Sequence, residues 1–161
     1  MSKREILLSY EEYPSAQELP AADTDLLNRA RAVTKDAYAP YSRFRVGAAA
    51  RLVNGEVITG TNQENAAYPA GICAERTLLS VAGSLFPGVA IDTLAISYHN
   101  EHGTSDRPIA PCGICRQSLQ EFEQRTGRPI RIVLGGESGS VVVLDQSGLL
   151  LPFAFTGDEL K

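Results

Sequence analysis

The apolar positions of this chain fall into runs whose period changes several times, and the changes mark out its elements. From Ala21 onward Leu26, Leu27, Ala30, Val33 and Ala37 recur at helical spacing, with Asp23 or Thr24 available as cap and Pro40 as stop. The period then drops to two. FRVGAAARLVNGEVITGT alternates through Val46, Ala48, Ala50 and Leu52, turns at Asn54-Gly55 and resumes with Val57 and Thr59, which predicts a hairpin. After the loop NQENAAYPAGI, CAERTLLSVAG returns to helical spacing, with Ala74, Leu78 and Ala82 on one face and Gly83 near its end. IDTLAISYH, residues 91–99, reads as a third strand. CGICRQSLQEFEQRTG reads as a helix, with Cys115, Leu119 and Phe122 in phase and Gly127 as stop. RPIRIVLGG and GSVVVLDQ supply a fourth and a fifth strand before the apolar tail LLLPFAF.

This order predicts an α/β layering around a five-stranded mixed sheet. Residues 1–20, with Pro14, Pro20 and no clear period, read as an N-terminal extension, and residues 21–161 as one domain. Strand-helix-strand crossings bring helix starts to one edge of a sheet, and ligands bind outside the carboxyl ends of the strands, where those helices begin. Cys73 stands at the start of one such helix. Cys112 and Cys115 stand at the start of the next.

Composition narrows the function. With 161 residues, 43% of them hydrophobic, the chain can bury one full core and has no room for a second. A formal charge of -4 lacks the electrostatic footprint of a protein that tracks a nucleic-acid backbone, so no nucleic-acid partner is expected. No apolar run is long enough to span a membrane, and the opening MSKREILLSYEEYP lacks the pattern of a signal peptide. A cytoplasmic location is therefore expected. Three cysteines, an odd number, cannot all pair within the chain, and CxxC plus one distant Cys suggests a metal or redox centre before a staple.

Cys112 and Cys115 are three apart, so both sulfurs can point the same way on a first helical turn behind Pro111. A neighbouring helix start supplies Cys73, and each start contributes partial positive charge that favours thiolate over thiol. Three thiolates with a fourth position left open describe a catalytic rather than a structural zinc. Two other readings stay open at this point: a buried cysteine can be a small hydrophobe, and a CxxC at a helix start can be a redox pair.

CAER at 73–76 and PCGICRQ at 111–117, with YAPYSRFRVGAA at 38–49, NQENAAYPAGICAER at 62–76 and LLPFAF at 150–155, resemble the cytidine deaminase family. The likeness is to its small homotetrameric branch with three cysteine ligands, and it covers roughly residues 22–160 in order. It implies a three-layer α-β-α fold and one Zn2+ per subunit, held by Cys73, Cys112 and Cys115. It also implies zinc-dependent hydrolytic deamination of cytidine and 2′-deoxycytidine, a reaction of pyrimidine salvage. Glu75 would be the proton shuttle, and with it two residues past Cys73, the cysteine must sit at the non-helical cap. Arg76 would donate hydrogen bonds to the thiolates and offset their charge. Asn62 and Glu64 match positions that hold the ribose 3′-hydroxyl, and Phe44 an aromatic of the pyrimidine pocket. The N–H of Ala74 and the carbonyl of Ala110 would read the base edge. Tyr68 and Phe155 match residues that reach a neighbouring subunit's pocket, so a homotetramer with shared sites is implied.

Two features depart from the family pattern: the N-terminal extension and a longer loop HNEHGTSDRP, whose His99 and His102 are left out of the zinc site. The loop precedes the PCxxC helix and can alter access to the pocket. Deamination of a modified aminopyrimidine nucleoside, as in the blasticidin type, is therefore an alternative. A zinc-stabilised binding module without chemistry is another.

Overall fold

In the computed structural model, which describes residues 1–160, the alternation resolves into six strands. They are β1 (Glu11–Tyr13), β2 (Phe44–Leu52), β3 (Val57–Thr61), β4 (Ile91–Asn100), β5 (Arg131–Gly135) and β6 (Val141–Leu144). Three α-helices join them: α1 (Ala21–Val33), α2 (Ala74–Leu85) and α3 (Gly113–Thr126). The sheet runs β1-β6-β5-β4-β2-β3. Only β4 and β5 pair in parallel, and α3 is the crossover between them.

Period two in the strands sorts the core into two halves. Ala48, Ala50 and Leu52 of β2, Leu94 and Ile96 of β4, and Ile132 and Leu134 of β5 pack against Leu78 and Ala82 of α2 and Leu119 and Phe122 of α3. The intervening positions Ala49, Ala95 and Val133 pack against Leu26, Leu27 and Ala30 of α1 on the other face. One helix below the sheet and two above give the expected three-layer α-β-α fold.

The sheet has six strands rather than the expected five. The extra one, β1, lies within residues 1–20 and pairs antiparallel with β6, Glu11 opposite Val143 and Tyr13 opposite Val141. Ala16 and Leu19, a few residues on, are buried beside α1. A three-residue strand is too short to show a period, and its partner lies some 130 residues away in the chain. The start of α1 also differs from expectation. Pro20 occupies the cap and no side chain caps the helix, while the Thr24 hydroxyl donates to the Ala16 carbonyl at 2.9 Å. Asp23 is buried and pairs with Arg131, with Arg51 at 3.9 Å, across the α1 face of the sheet. The helix stops at Val33 and a 3-10 turn, Thr34–Asp36, carries the chain on, so Ala37 is buried outside it.

The hairpin turns at Asn54-Gly55, where Gly55 has a φ of 91°. In β3 the inward positions toward α2 are Ile58 and Gly60, and Thr59 is exposed. Gly60 positions the start of α2: a Cβ there would lie 2.6 Å from both the Ala74 carbonyl oxygen and the Leu78 nitrogen. Both are backbone atoms, so α2 must move to admit a methyl group. Gly60→Ala is expected to cost about 1–3 kcal/mol, read as a lower urea midpoint, and to displace the helix start that carries Cys73 and Glu75. An unchanged midpoint would contradict this account of the contact.

Candidate active site

Two helix starts converge beside the ends of β3 and β4. Cys73 is the N-cap of α2, with φ -75° and ψ 156°, and Cys112 is the N-cap of α3, with φ -67° and ψ 168°. Both backbones are extended, so each sulfur leaves the helix axis, while Cys115 projects from the first turn of α3 into full burial. The Cys73 and Cys112 sulfurs are 3.9 Å apart, those of Cys112 and Cys115 3.5 Å, and all three lie within 4.8 Å of one another. Tetrahedral zinc with sulfur ligands at about 2.3 Å separates neighbouring sulfurs by about 3.8 Å, so the cluster has the dimensions of a zinc claw. It is the one group of three or more metal-capable side chains among the described residues, and neither His99 nor His102 joins it. His99 Nδ1 instead lies 2.7 Å from Glu137 Oε1.

The three thiols lie close enough to hydrogen-bond one another. A hydrogen bond with Cys115 lowers the Cys73 pKa to about 6, against burial and the Glu75 charge, with further help from Cys112 and from the charge of Arg76. The same hydrogen bond, with burial, raises Cys115. Arg76 is partly buried and makes no hydrogen bond to a sulfur; its influence is through charge alone. It lines the groove between α2 and α3 with Gln117 and Arg125 rather than the cavity beside the sulfurs.

Glu75 follows in the first turn of α2 and is 5% exposed. Burial raises its pKa, and its own backbone N–H and the Cys115 thiol only partly counter that. No basic side chain neutralises it. It lines a cavity of about 400 Å³ together with Cys73, Cys112, Phe44, Asn62, Glu64, Tyr68, Ala74 and Ala110. Phe44 stacks on the buried Tyr98, ring centroids 4.9 Å apart. The Asn62 amide is fastened to β2: its oxygen accepts from the Val46 N–H at 2.7 Å and its nitrogen donates to the Phe44 carbonyl at 2.9 Å. One N–H and one lone pair remain free of that bond pair for another partner. Phe155 is 57% exposed and lies outside the cavity, its carbonyl accepting from Gln117 at 2.9 Å.

Three residues of this neighbourhood escaped the sequence reading. Ser42 and the Tyr41 backbone bind the Glu64 carboxylate. Arg116, next to Cys115, donates to the Pro111 carbonyl at 2.8 Å and the Leu150 carbonyl at 3.0 Å, tying the loop before Cys112 to the tail. An arginine directly after a CxxC was a visible signal for the latter; nothing local marked Ser42.

Three sulfur donors backed by helix starts, two of them lining a cavity, define a metalloprotein of the catalytic kind, since a closed structural site would offer a fourth protein ligand. The family model for the cytidine and deoxycytidylate deaminase zinc-binding region matches residues 20–127. A protein of Halalkalibacterium halodurans described as a cytidine deaminase is 38% identical over 136 residues, 84% of this chain and 96% of its own length. A Mycobacterium tuberculosis cytidine deaminase is 35% identical over 149 residues, 88% of this chain and 96% of its own. The crystal structure of cytidine deaminase from Burkholderia pseudomallei superposes with a TM-score of 0.70 at 40% identity, covering 81% of this chain and 97% of that one. The chain belongs to the cytidine and deoxycytidylate deaminase family, whose zinc the three cysteines fit.

Proposed function

We infer that this protein is an enzyme that hydrolyses cytidine and 2′-deoxycytidine to uridine and 2′-deoxyuridine, releasing ammonia. The observation that carries the reading is the cavity itself. A buried, uncompensated carboxyl stands beside three clustered sulfurs, and no lysine, arginine or histidine is among the lining residues. The family includes enzymes of nucleosides and of nucleotides. A wall bearing Glu64 and Glu75 and no cation favours the uncharged nucleoside, because a phosphate there would face like charge without a counterion.

Zinc held by Cys73, Cys112 and Cys115 would supply Lewis-acid activation of water for attack on C4 of the base. Glu75 accepts one proton of the attacking water on a carboxyl oxygen and places it on N3 of cytosine, then takes the second from the new hydroxyl at C4 and delivers it to the amino group as the C–N bond breaks and ammonia leaves. Its burial keeps bulk water from competing for that proton. Phe44 packs against the pyrimidine, and the Ala74 N–H and Ala110 carbonyl read its edge. Asn62 and Glu64 hold the 3′-hydroxyl, while Arg76 offsets thiolate charge from behind.

Residues 21–161 act as one catalytic domain, with residues 1–20 an extension whose β1 is stitched to the sheet edge. Tyr68, 78% exposed, and Phe155 are presented outward, which supports a homotetramer in which neighbouring subunits complete each site. Sedimentation of the active protein is expected to give a four-chain particle, and a fully active monomer would remove this part of the reading. No helix among the described residues is long and apolar enough to cross a membrane. Three thiols kept reduced for metal binding suit the cytoplasm.

The decisive assay follows ultraviolet absorbance as zinc-loaded protein meets cytidine, 2′-deoxycytidine, modified aminopyrimidine nucleosides and cytidine 5′-monophosphate in parallel. Turnover of the two free nucleosides with little on the monophosphate is expected. Bound zinc without turnover of any substrate would leave a metal-stabilised module, and preference for a modified base would move the protein to the alternative substrate.

A further inference from the structure

We propose that Ser42 is a positioning residue that ties the sugar-facing carboxylate of Glu64 to the base-facing ring of Phe44, so that both halves of a nucleoside are held by one braced unit. The inference rests on the reading of Glu64 and Phe44 as substrate contacts.

The Ser42 hydroxyl donates to Glu64 Oε1 and accepts from the Phe44 N–H at 3.1 Å. A hydroxyl has a single proton to give, and here it is given to the carboxylate. The other carboxylate oxygen, Oε2, accepts from the N–H groups of Tyr41 at 2.9 Å and Ser42 at 3.2 Å. An ionised carboxylate offers about four acceptor positions, so three donors from one turn leave a single position for one further donor. That is the capacity needed for one sugar hydroxyl. Partial desolvation works to raise the Glu64 pKa, and the Ser42 and Tyr41 donors outweigh it and leave the group below its ordinary value. Glu64 thus stays an acceptor.

The turn that presents these donors is held under strain. Arg43, between Ser42 and Phe44, has a φ of 57°, a left-handed conformation that a non-glycine residue adopts only when its surroundings impose it. Here the Arg43 N–H donates to the Ala39 carbonyl and its own carbonyl accepts from the Glu101 N–H, both at 3.1 Å. The Glu101 carboxylate lies 2.6 Å from Arg45 and 3.6 Å from Arg43. The kink lets Ser42 line an adjoining hollow of about 360 Å³ that shares Glu64 and Tyr68 with the catalytic cavity, while Phe44 lines the cavity itself. The loop holding Glu101 thus touches this turn through Arg43 and Arg45.

The test compares wild type, Ser42→Ala and Ser42→Thr on cytidine and on 3′-deoxycytidine, with zinc content measured on each preparation. For wild type, removal of the 3′-hydroxyl is expected to raise KM about tenfold, the equivalent of one hydrogen bond to a charged group. Ser42→Ala should raise KM for cytidine severalfold with kcat within about twofold, and should distinguish the two substrates less than wild type does, Asn62 alone still reaching the hydroxyl in full. Ser42→Thr, which keeps the hydroxyl, should restore the distinction. If wild type and Ser42→Ala discriminate equally, Ser42 does not act through Glu64 and the proposal fails while the reading of Glu64 stands. If wild type itself does not discriminate, the reading of Glu64 fails and takes the proposal with it.

Discussion

Glu75→Gln is expected to give a folded, zinc-loaded protein whose kcat on cytidine is lower by about 10³-fold or more, within the range by which a positioned acid-base group accelerates proton transfer. The substitution is nearly isosteric, so α2, the cavity and the sulfur cluster keep their geometry. What changes is proton traffic. An amide cannot accept the proton of water or return it to N3, and no other lining residue is placed to substitute, since the only other carboxylate of the cavity, Glu64, is occupied by the turn at Tyr41 and Ser42. Thermal stability should hold or rise slightly, because the native carboxyl is buried against its preference for water, as its raised pKa records. The measurements are absorbance loss with cytidine, metal content and a melting curve on one preparation. A kcat within about tenfold of wild type would remove Glu75 from the proton path and leave the mechanism without a shuttle.

The parts of the fold that were legible in the sequence are those whose information is local. In α2, Ala74, Leu78 and Ala82 recur within one helix face, and all three are fully buried against the sheet. Gly127 ends α3 in the left-handed conformation with φ 66°, as a terminal glycine after a periodic run announces. The parts that were not legible depend on partners far along the chain. Strand β1 has meaning only against β6, and Asp23, which as a sequence feature suggested a cap, is claimed by Arg131, 108 positions away. Nothing in the sequence around Gly60 announces that α2 crosses it at backbone contact.

The site divides in the same way. The cysteines were readable because CxxC fixes two sulfurs by helical geometry and the α/β order brings a second helix start alongside. The bonds that brace the opposite wall of the cavity were not: Asn62 is engaged with β2 backbone 16 and 18 positions away, and Ser42 bonds Glu64 across 22. The chain places Arg76 behind the cluster, where its charge reaches Cys73 and its side chain lines the groove between α2 and α3.

The largest stability effect should come from Cys115→Ala. Cys115 is the innermost of the three sulfurs and fully buried, whereas Cys112 is exposed at the rim. Its loss removes one of three protein ligands from a site that cannot recruit another, since no other metal-capable side chain joins the cluster among the described residues. Metal that binds the folded chain and not the unfolded one stabilises by mass action, about 4 kcal/mol when free metal stands a thousandfold above its dissociation constant. For a chain of this size each kcal/mol moves Tm by roughly 2–4 °C, so wild type should gain roughly 8–16 °C between chelated and zinc-saturated samples. Cys115→Ala should show almost none of that gain, retain little zinc after dialysis against a chelator and have no measurable turnover. The methyl group that replaces the thiol stays buried one helical turn from Leu119, so the chelated variant should melt close to chelated wild type. That comparison separates loss of metal from loss of packing. A zinc-dependent Tm shift equal to that of wild type would show that Cys115 is core rather than ligand, and would return the protein to the reading in which a buried cysteine is a small hydrophobe.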